Sequence, residues 1–126
     1  MIKQPRQSTV FDRAIAAHAK WKYRLFLAIK TGQSEFRVSD VRPDDRCDFG
    51  AWLSSLPDTE KRTERCQQVR ALHTEFHKIA AEVLDLALRG KQQEAQAAIG
   101  LGSRFADISS QLTLALGAWE NQAKPG

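Results

Sequence analysis

Apolar residues recur at three- and four-residue steps along most of this chain, the period of helices that bury one face. From about Thr9 to Thr31 the stripe is Phe11, Ala14, Ile15, His18, Trp21, Leu25, Ala28 and Ile29. Ser8 or Thr9 can cap its start, and Gly32 supplies a stop. From Gln33 to about Arg46, the alternation Phe36, Val38, Val41 suggests a short strand, but no second strand exists to pair with it, so extended coil is expected. Pro43-Asp44-Asp45 then opens a short helix from Arg46 to about Leu56, with acidic side chains at the positive end of its dipole and Pro57-Asp58 closing it. Its apolar members are Phe49, Trp52 and Leu53. Thr59 and Glu60 begin a long helix with the stripe Cys66, Val69, Leu72, His73, Phe76, His77, Ala80, Val83, Leu84 and Ala87, ending at Arg89-Gly90. A last helix, about Lys91 to Gln122, carries Ala95, Ala98, Ile99, Phe105, Ile108, Leu112, Leu116 and Trp119. Within it Gly100 and Gly102 mark soft points or close-packing sites, and Pro125-Gly126 makes a frayed tail.

Three long amphipathic helices and one short one bury their stripes most simply as an all-α, antiparallel up-down bundle of the four-helix type with short connections. A length of 126 residues suits one domain, expected to span residues 1–126, and leaves no room for a second, catalytic one. With 42% hydrophobic and 27% charged residues the chain has the balance of a globular protein, so it should fold. No apolar run approaches the roughly 20 residues that cross a bilayer, and the start Met1 to Gln7 lacks the apolar stretch of a signal peptide. A cytoplasmic protein without a membrane partner is the expectation. The formal charge of +4 raises the question of nucleic acid. However, Lys20, Lys22, Arg24 and Lys30 are spread along one helix, and Lys61, Arg62 and Arg65 alternate with Glu60 and Glu64 as on a solvated face. No nucleic-acid partner is expected.

The candidate chemistry lies in the histidines and cysteines. His73 and His77, four residues apart on a helix, project from one face about one turn apart and can bind the same ion. A lone histidine on an apolar stripe is more often a hydrogen-bonded core residue than a ligand. His18, however, also sits in a stripe, between Ile15 and Trp21, so all three histidines of the chain face the core, where unpaired polar groups are costly. Zinc takes four ligands from such residues, and a thiolate would complete the set. Cys66 lies seven residues before His73 on the same helix, about 10 Å away, and is expected to be a small buried hydrophobe. Cys47, in the first turn of the short helix, is the better fourth ligand, with the helix dipole expected to lower its pKa. Phe49 and Trp52 would pin that helix to the bundle, and Gly50 would let it approach closely. With two cysteines only and a reducing compartment, a disulfide is not expected.

The set His18-x-x-Trp21, then Cys47-Asp48-Phe49-Gly50-Ala51-Trp52, then His73-Thr74-Glu75-Phe76-His77 resembles the chemoreceptor zinc-binding (CZB) domain family over nearly the whole chain. The resemblance implies a helical bundle in which His18, Cys47, His73 and His77 bind Zn2+, commonly as a homodimer. It further implies a sensory domain that reads zinc availability or oxidants and is often attached to a chemoreceptor signalling region or a diguanylate cyclase. Neither fits within 126 residues, so output would pass through a partner, or through a module attached to this domain in a longer protein.

Other classes fit less well. A metal-dependent hydrolase needs an open coordination position and a nearby base, yet Thr74 follows the first histidine of the pair and Glu75, two residues on, should point away. A di-iron bundle needs more histidine and carboxylate ligands than this pattern provides. A metal-free or structural-zinc interaction module is the remaining alternative, and no catalytic residue is assigned.

Overall fold

The computed structural model describes residues 9–123; Ser8 and Pro125-Gly126, one of the two candidate caps and the expected tail, lie outside them. All regular structure among the described residues is helical: α1 (Val10–Thr31), α2 (Val38–Val41), α3 (Asp48–Ser55), α4 (Asp58–Lys61), α5 (Glu64–Leu88), α6 (Gln92–Ile99) and α7 (Arg104–Ala123).

Helix α1 begins where Thr9 and Asp12 satisfy each other's free amides: the Thr9 hydroxyl accepts from the Asp12 N–H at 3.0 Å and the Asp12 carboxylate from the Thr9 N–H at 3.2 Å. It ends at Gly32, whose φ of 71° is the left-handed conformation that stops helices and that glycine adopts without strain. Phe11, Ala14, His18, Leu25, Ala28 and Ile29 are its buried face, with Ile15 and Trp21 half-buried at the edges. The stripe of α5 is likewise buried as its period requires, with Phe76 fully enclosed and its ring tilted against Phe105 of α7 at 5.5 Å.

Four boundaries differ from the sequence reading, each for a local reason. The 33–46 segment contains the one-turn helix α2, too short to leave a periodic signal, whose Val41 is buried against α5. Helix α3 starts at Asp48 and not at Arg46, because the Cys47 sulfur itself accepts from the Gly50 N–H at 3.3 Å and serves as N-cap. The long helix does not run unbroken from Thr59: α4 closes at Lys61, and Thr63 caps α5 by accepting from the Cys66 N–H while its hydroxyl donates to the Glu60 carbonyl at 2.7 Å. The last helix is two helices, α6 and α7, parted where Gly100 is extended and Gly102 takes a φ of 77°.

The chain path is the expected up-down order, with the α2–α4 segment as its second leg. Phe11 at the start of α1 meets Trp119 near the end of α7 at 5.2 Å, and Arg65 at the start of α5 reaches Gln122. At the other end, the Gln92 amide of α6 donates to the Ile29 carbonyl of α1. Helices α1 and α5 therefore run in the same direction, and the α6–α7 leg runs antiparallel to both. The α2–α4 segment makes this possible by carrying the chain back along the bundle. On the way, α3 lays Trp52 between Phe11 and Trp119, at ring distances of 5.5 Å to each. Burying aromatic side chains stabilises by about 1.5–3 kcal/mol each, which anchors α3 to the bundle beside the midpoint of α1 and α5.

Candidate metal centre

Each of the four residues singled out by sequence arrives at this midpoint from a different structural cause. His73 and His77 stand one turn apart on the buried face of α5, and His18 occupies the middle of the buried face of α1. Cys47 is delivered from the side, at the N-terminus of α3, where Phe49 packs on His73 at 5.2 Å between ring centres. The three imidazoles are buried, His73 to 1% exposure, and Cys47 is half-buried.

One donor atom from each of the four residues can be chosen so that all lie within 4.8 Å of one another. The Cys47 sulfur is 3.3 Å from His73 Nε2 and 3.5 Å from His77 Nε2, and the two Nε2 atoms are 3.1 Å apart. A tetrahedral zinc ion with Zn–N of about 2.0–2.1 Å and Zn–S of about 2.3 Å separates its ligand atoms by roughly 3.3–3.6 Å. The donor set fits zinc, with the Cys47, His73 and His77 donors near this spacing and the His18 donor within 4.8 Å of them.

Proton placement supports the fit. His18 Nδ1 lies 2.7 Å from the Ala14 carbonyl and His77 Nδ1 lies 2.8 Å from the Val41 carbonyl. A carbonyl only accepts, so both Nδ1 atoms carry the proton and both Nε2 atoms turn a lone pair toward the cluster. Burial keeps the rings neutral: it lowers His18 from 6.5 to about 4, and it lowers His73 to about 2 with the added repulsion of His77 and His18. His77 is lowered too, again first by burial, against the opposing pull of its Val41 bond. Without a cation His73 Nε2–H can donate to the His77 Nε2 lone pair at 3.1 Å; a bound cation would instead draw the lone pairs of all three rings.

The expectation that the helix dipole lowers the Cys47 pKa is overturned. Burial raises it, outweighing the amides of Gly50 and Phe49 that favour the thiolate. A cation among these donors would restore the thiolate, since a coordinating thiol loses its proton.

Outside the four lies a ring of contacts that the sequence motifs did not reveal. The Thr74 hydroxyl donates to the Asp44 carboxylate, fastening the 42–47 loop to α5 beside the cluster. Gly50 faces the Asp44 backbone so closely that an added Cβ would stand 1.8 Å from its carbonyl oxygen, which bears out the close approach expected at this glycine. The sequence reading places Val41 in an alternation and Asp44 at a helix start, and neither signal points to a role beside the cluster. The Ala14 carbonyl, by contrast, is the ordinary i−4 partner of His18 and was inferable from the helix alone.

Cys66 is buried away from the cluster, under the first turn of α5, as expected of a small hydrophobe. Glu75 turns away and accepts from Arg104, so it is not placed as a base beside the four donors.

The family model of the chemoreceptor zinc-binding domain matches residues 18–84, more than half of the chain, a span that begins at His18 and takes in Cys47, His73 and His77. No curated protein and no solved structure matches the chain. By that match, with all four donor positions filled and drawn together, the chain belongs to the chemoreceptor zinc-binding domain family.

Proposed function

We propose that this chain is a sensory domain in which His18, Cys47, His73 and His77 hold one zinc ion and its state is passed to a partner. The observation that carries the reading is the convergence of three buried neutral imidazoles and one thiol within 4.8 Å of one another, three of the donors near zinc-ligand spacing. Bound there, zinc would supply a strong electrostatic tie among α1, α3 and α5. With four protein donors the site leaves no open position for substrate, which favours regulation over hydrolysis.

Cys47 is the member best suited to carry a signal. It alone comes from α3, a helix otherwise held by the Phe49 and Trp52 rings, and it alone is chemically oxidisable among the four. A cavity of about 730 Å³ opens onto Cys47, His18 and His77, giving small oxidants or chelators a way in. Oxidation of the sulfur, or removal of zinc, would leave α3 secured by packing only. Among the described residues no helix is long and apolar enough to cross a membrane; a signalling region or diguanylate cyclase is the proposed output. A cytoplasmic homodimer, with residues 1–126 as its one domain, completes the proposal.

The test is elemental analysis of purified protein before and after chelation, with Cys47→Ala in parallel. One zinc per chain, lost in the variant, is expected. A chain that takes up no zinc would overturn the reading. A permanently structural zinc is the second reading, favoured by the depth of the histidines; slow exchange against labelled zinc over hours would select it.

A further inference from the structure

The cavity that opens onto Cys47, His18 and His77 is larger than access to a metal requires. At about 730 Å³ it falls within the roughly 300–1,000 Å³ of pockets that enclose small organic molecules. It lies between α1 and the 36–52 segment, and three aromatic rings other than Phe49 line it: Trp21, Phe36 and Trp52. Trp21 and Phe36 touch, with 4.9 Å between their ring centres.

The charged groups on this lining are mostly basic. Arg13, Arg24 and Arg46 stand against Asp40 and Asp48, three positive charges to two negative, and Arg46 is already paired with Asp40. The setting of Arg24 is different. Its guanidinium carbon lies 5.0 Å from the centre of the Trp21 ring and 4.8 Å from that of Phe36, close enough for both rings to hold the cation. Among the described residues no carboxylate pairs with it. Glu35, which shares a smaller adjoining cavity of about 530 Å³ with Arg24, is not within ion-pair reach. Arg24 is half-buried, so its charge has lost part of its water without gaining an anion. The rings satisfy none of its N–H donors, which form a planar fork matched to a carboxylate.

The distance to the metal centre sets the shape of an occupant. His18 precedes Arg24 by six residues, about 9 Å along α1. A molecule held at Arg24 by its charged end therefore needs an apolar body to fill the space that runs along Trp21 and Phe36 toward His18, and flat rings favour a flat body. The single positive charge in excess on the lining suits a single negative charge on the ligand.

We propose that this cavity binds a small organic carboxylate with a flat apolar body, the carboxylate taken by the Arg24 guanidinium and the body laid against Trp21 and Phe36. Neither Arg24 nor Phe36 is one of the four metal donors, so the site stands apart from the zinc reading. Where zinc is held as proposed, the domain has a second chemical input beside its metal.

The experiment is isothermal titration calorimetry on the full chain as purified, with zinc content and helicity measured on every sample. Naphthoate is the probe, naphthamide is the same body without the charge, and inorganic phosphate is a charge without the body. Three variants accompany the parent: Arg24→Gln, Phe36→Leu, and Lys30→Gln, which makes the same charge change on α1 outside both cavities. A single naphthoate per chain is expected, with affinity about 10-fold or more lower for naphthamide and for Arg24→Gln, lower in Phe36→Leu, and unchanged in Lys30→Gln. A parent that ignores naphthoate at millimolar ligand would overturn the proposal. So would equal affinity for naphthamide or phosphate, an undiminished affinity in Arg24→Gln or Phe36→Leu, or an equal loss in Lys30→Gln. If Arg24→Gln loses helicity, the comparison of naphthoate with naphthamide on the parent decides alone. A zinc-free chain that still binds naphthoate through Arg24 would sink the metal reading and leave this site standing.

Discussion

Nδ1 of His77 donates a hydrogen bond to the Val41 carbonyl across 2.8 Å, joining α5 to the one-turn helix α2. This bond fixes which ring nitrogen of His77 faces Cys47 and His73, so the position of α2 becomes part of the metal centre. The Val41 side chain, 3% exposed, holds that turn against α5.

Val41→Ala is therefore predicted to act twice. Truncating a buried valine costs about 1–2 kcal/mol of stability through the cavity it leaves. Loosening the carbonyl should also weaken zinc binding roughly 10-fold, the lower range for loss of a partner behind a metal-bound histidine. Competition against a chromophoric chelator would measure it, and an unchanged affinity would show that α2 does not orient His77.

The legible parts of this molecule were those with a period or a motif. The stripe of α5 placed His73 and His77 correctly because a long amphipathic helix must bury Val69, Phe76, Val83 and Leu84 together. Distance along that helix removed Cys66, and the family pattern around Cys47 supplied the rest. What escaped was non-periodic. Thr59 and Thr63 are both good caps in sequence, and only the Glu60 carbonyl and Cys66 amide that Thr63 engages show which one starts α5. The up-down order itself was expected, but the course of the α2–α4 leg depends on where Trp52 and Val41 find burial.

Gly50 offers a sharper probe of the loop. A methyl group there would stand 1.8 Å from the Asp44 carbonyl oxygen, a backbone atom that cannot swing aside as a side-chain end can. Gly50→Ala should push α3 away from the 42–47 loop and carry the Cys47 sulfur with it. We expect a destabilisation of about 1–3 kcal/mol and a loss of zinc retention, with helicity largely kept. Denaturant titration and metal analysis report the two effects separately; full zinc occupancy with parental stability would refute the close packing.

The two cysteines should separate cleanly. Cys47→Ala is expected to lower zinc affinity by more than the roughly 10–100-fold that loss of an outer hydrogen bond costs. Cys66→Ala, at a fully buried site, should cost about 1–2 kcal/mol of stability and leave zinc stoichiometry unchanged. Equal metal loss from both would contradict the ligand set.

The chelated protein should lose stability in mildly acidic solution, and the sign follows from the histidines. Burial holds all three rings below the ordinary value of 6.5, His18 at about 4 and His73 at about 2. As pH falls below about 6.5 the unfolded chain takes up protons that the folded chain refuses, so unfolding becomes easier. The stability held at neutral pH declines through the window from 6.5 toward 4, where His18 begins to protonate in the fold, and His73 continues the decline below it. Each histidine protonated only in the unfolded chain contributes about 1.4 kcal/mol per pH unit. Denaturant midpoints of the chelated protein at neutral pH and about one and a half units lower would measure the slope. His73→Leu, which replaces a buried ring with an apolar side chain that cannot take a proton, should flatten that slope by one histidine's share. A chelated parent equally stable at both values would mean that the imidazoles are not held neutral by burial.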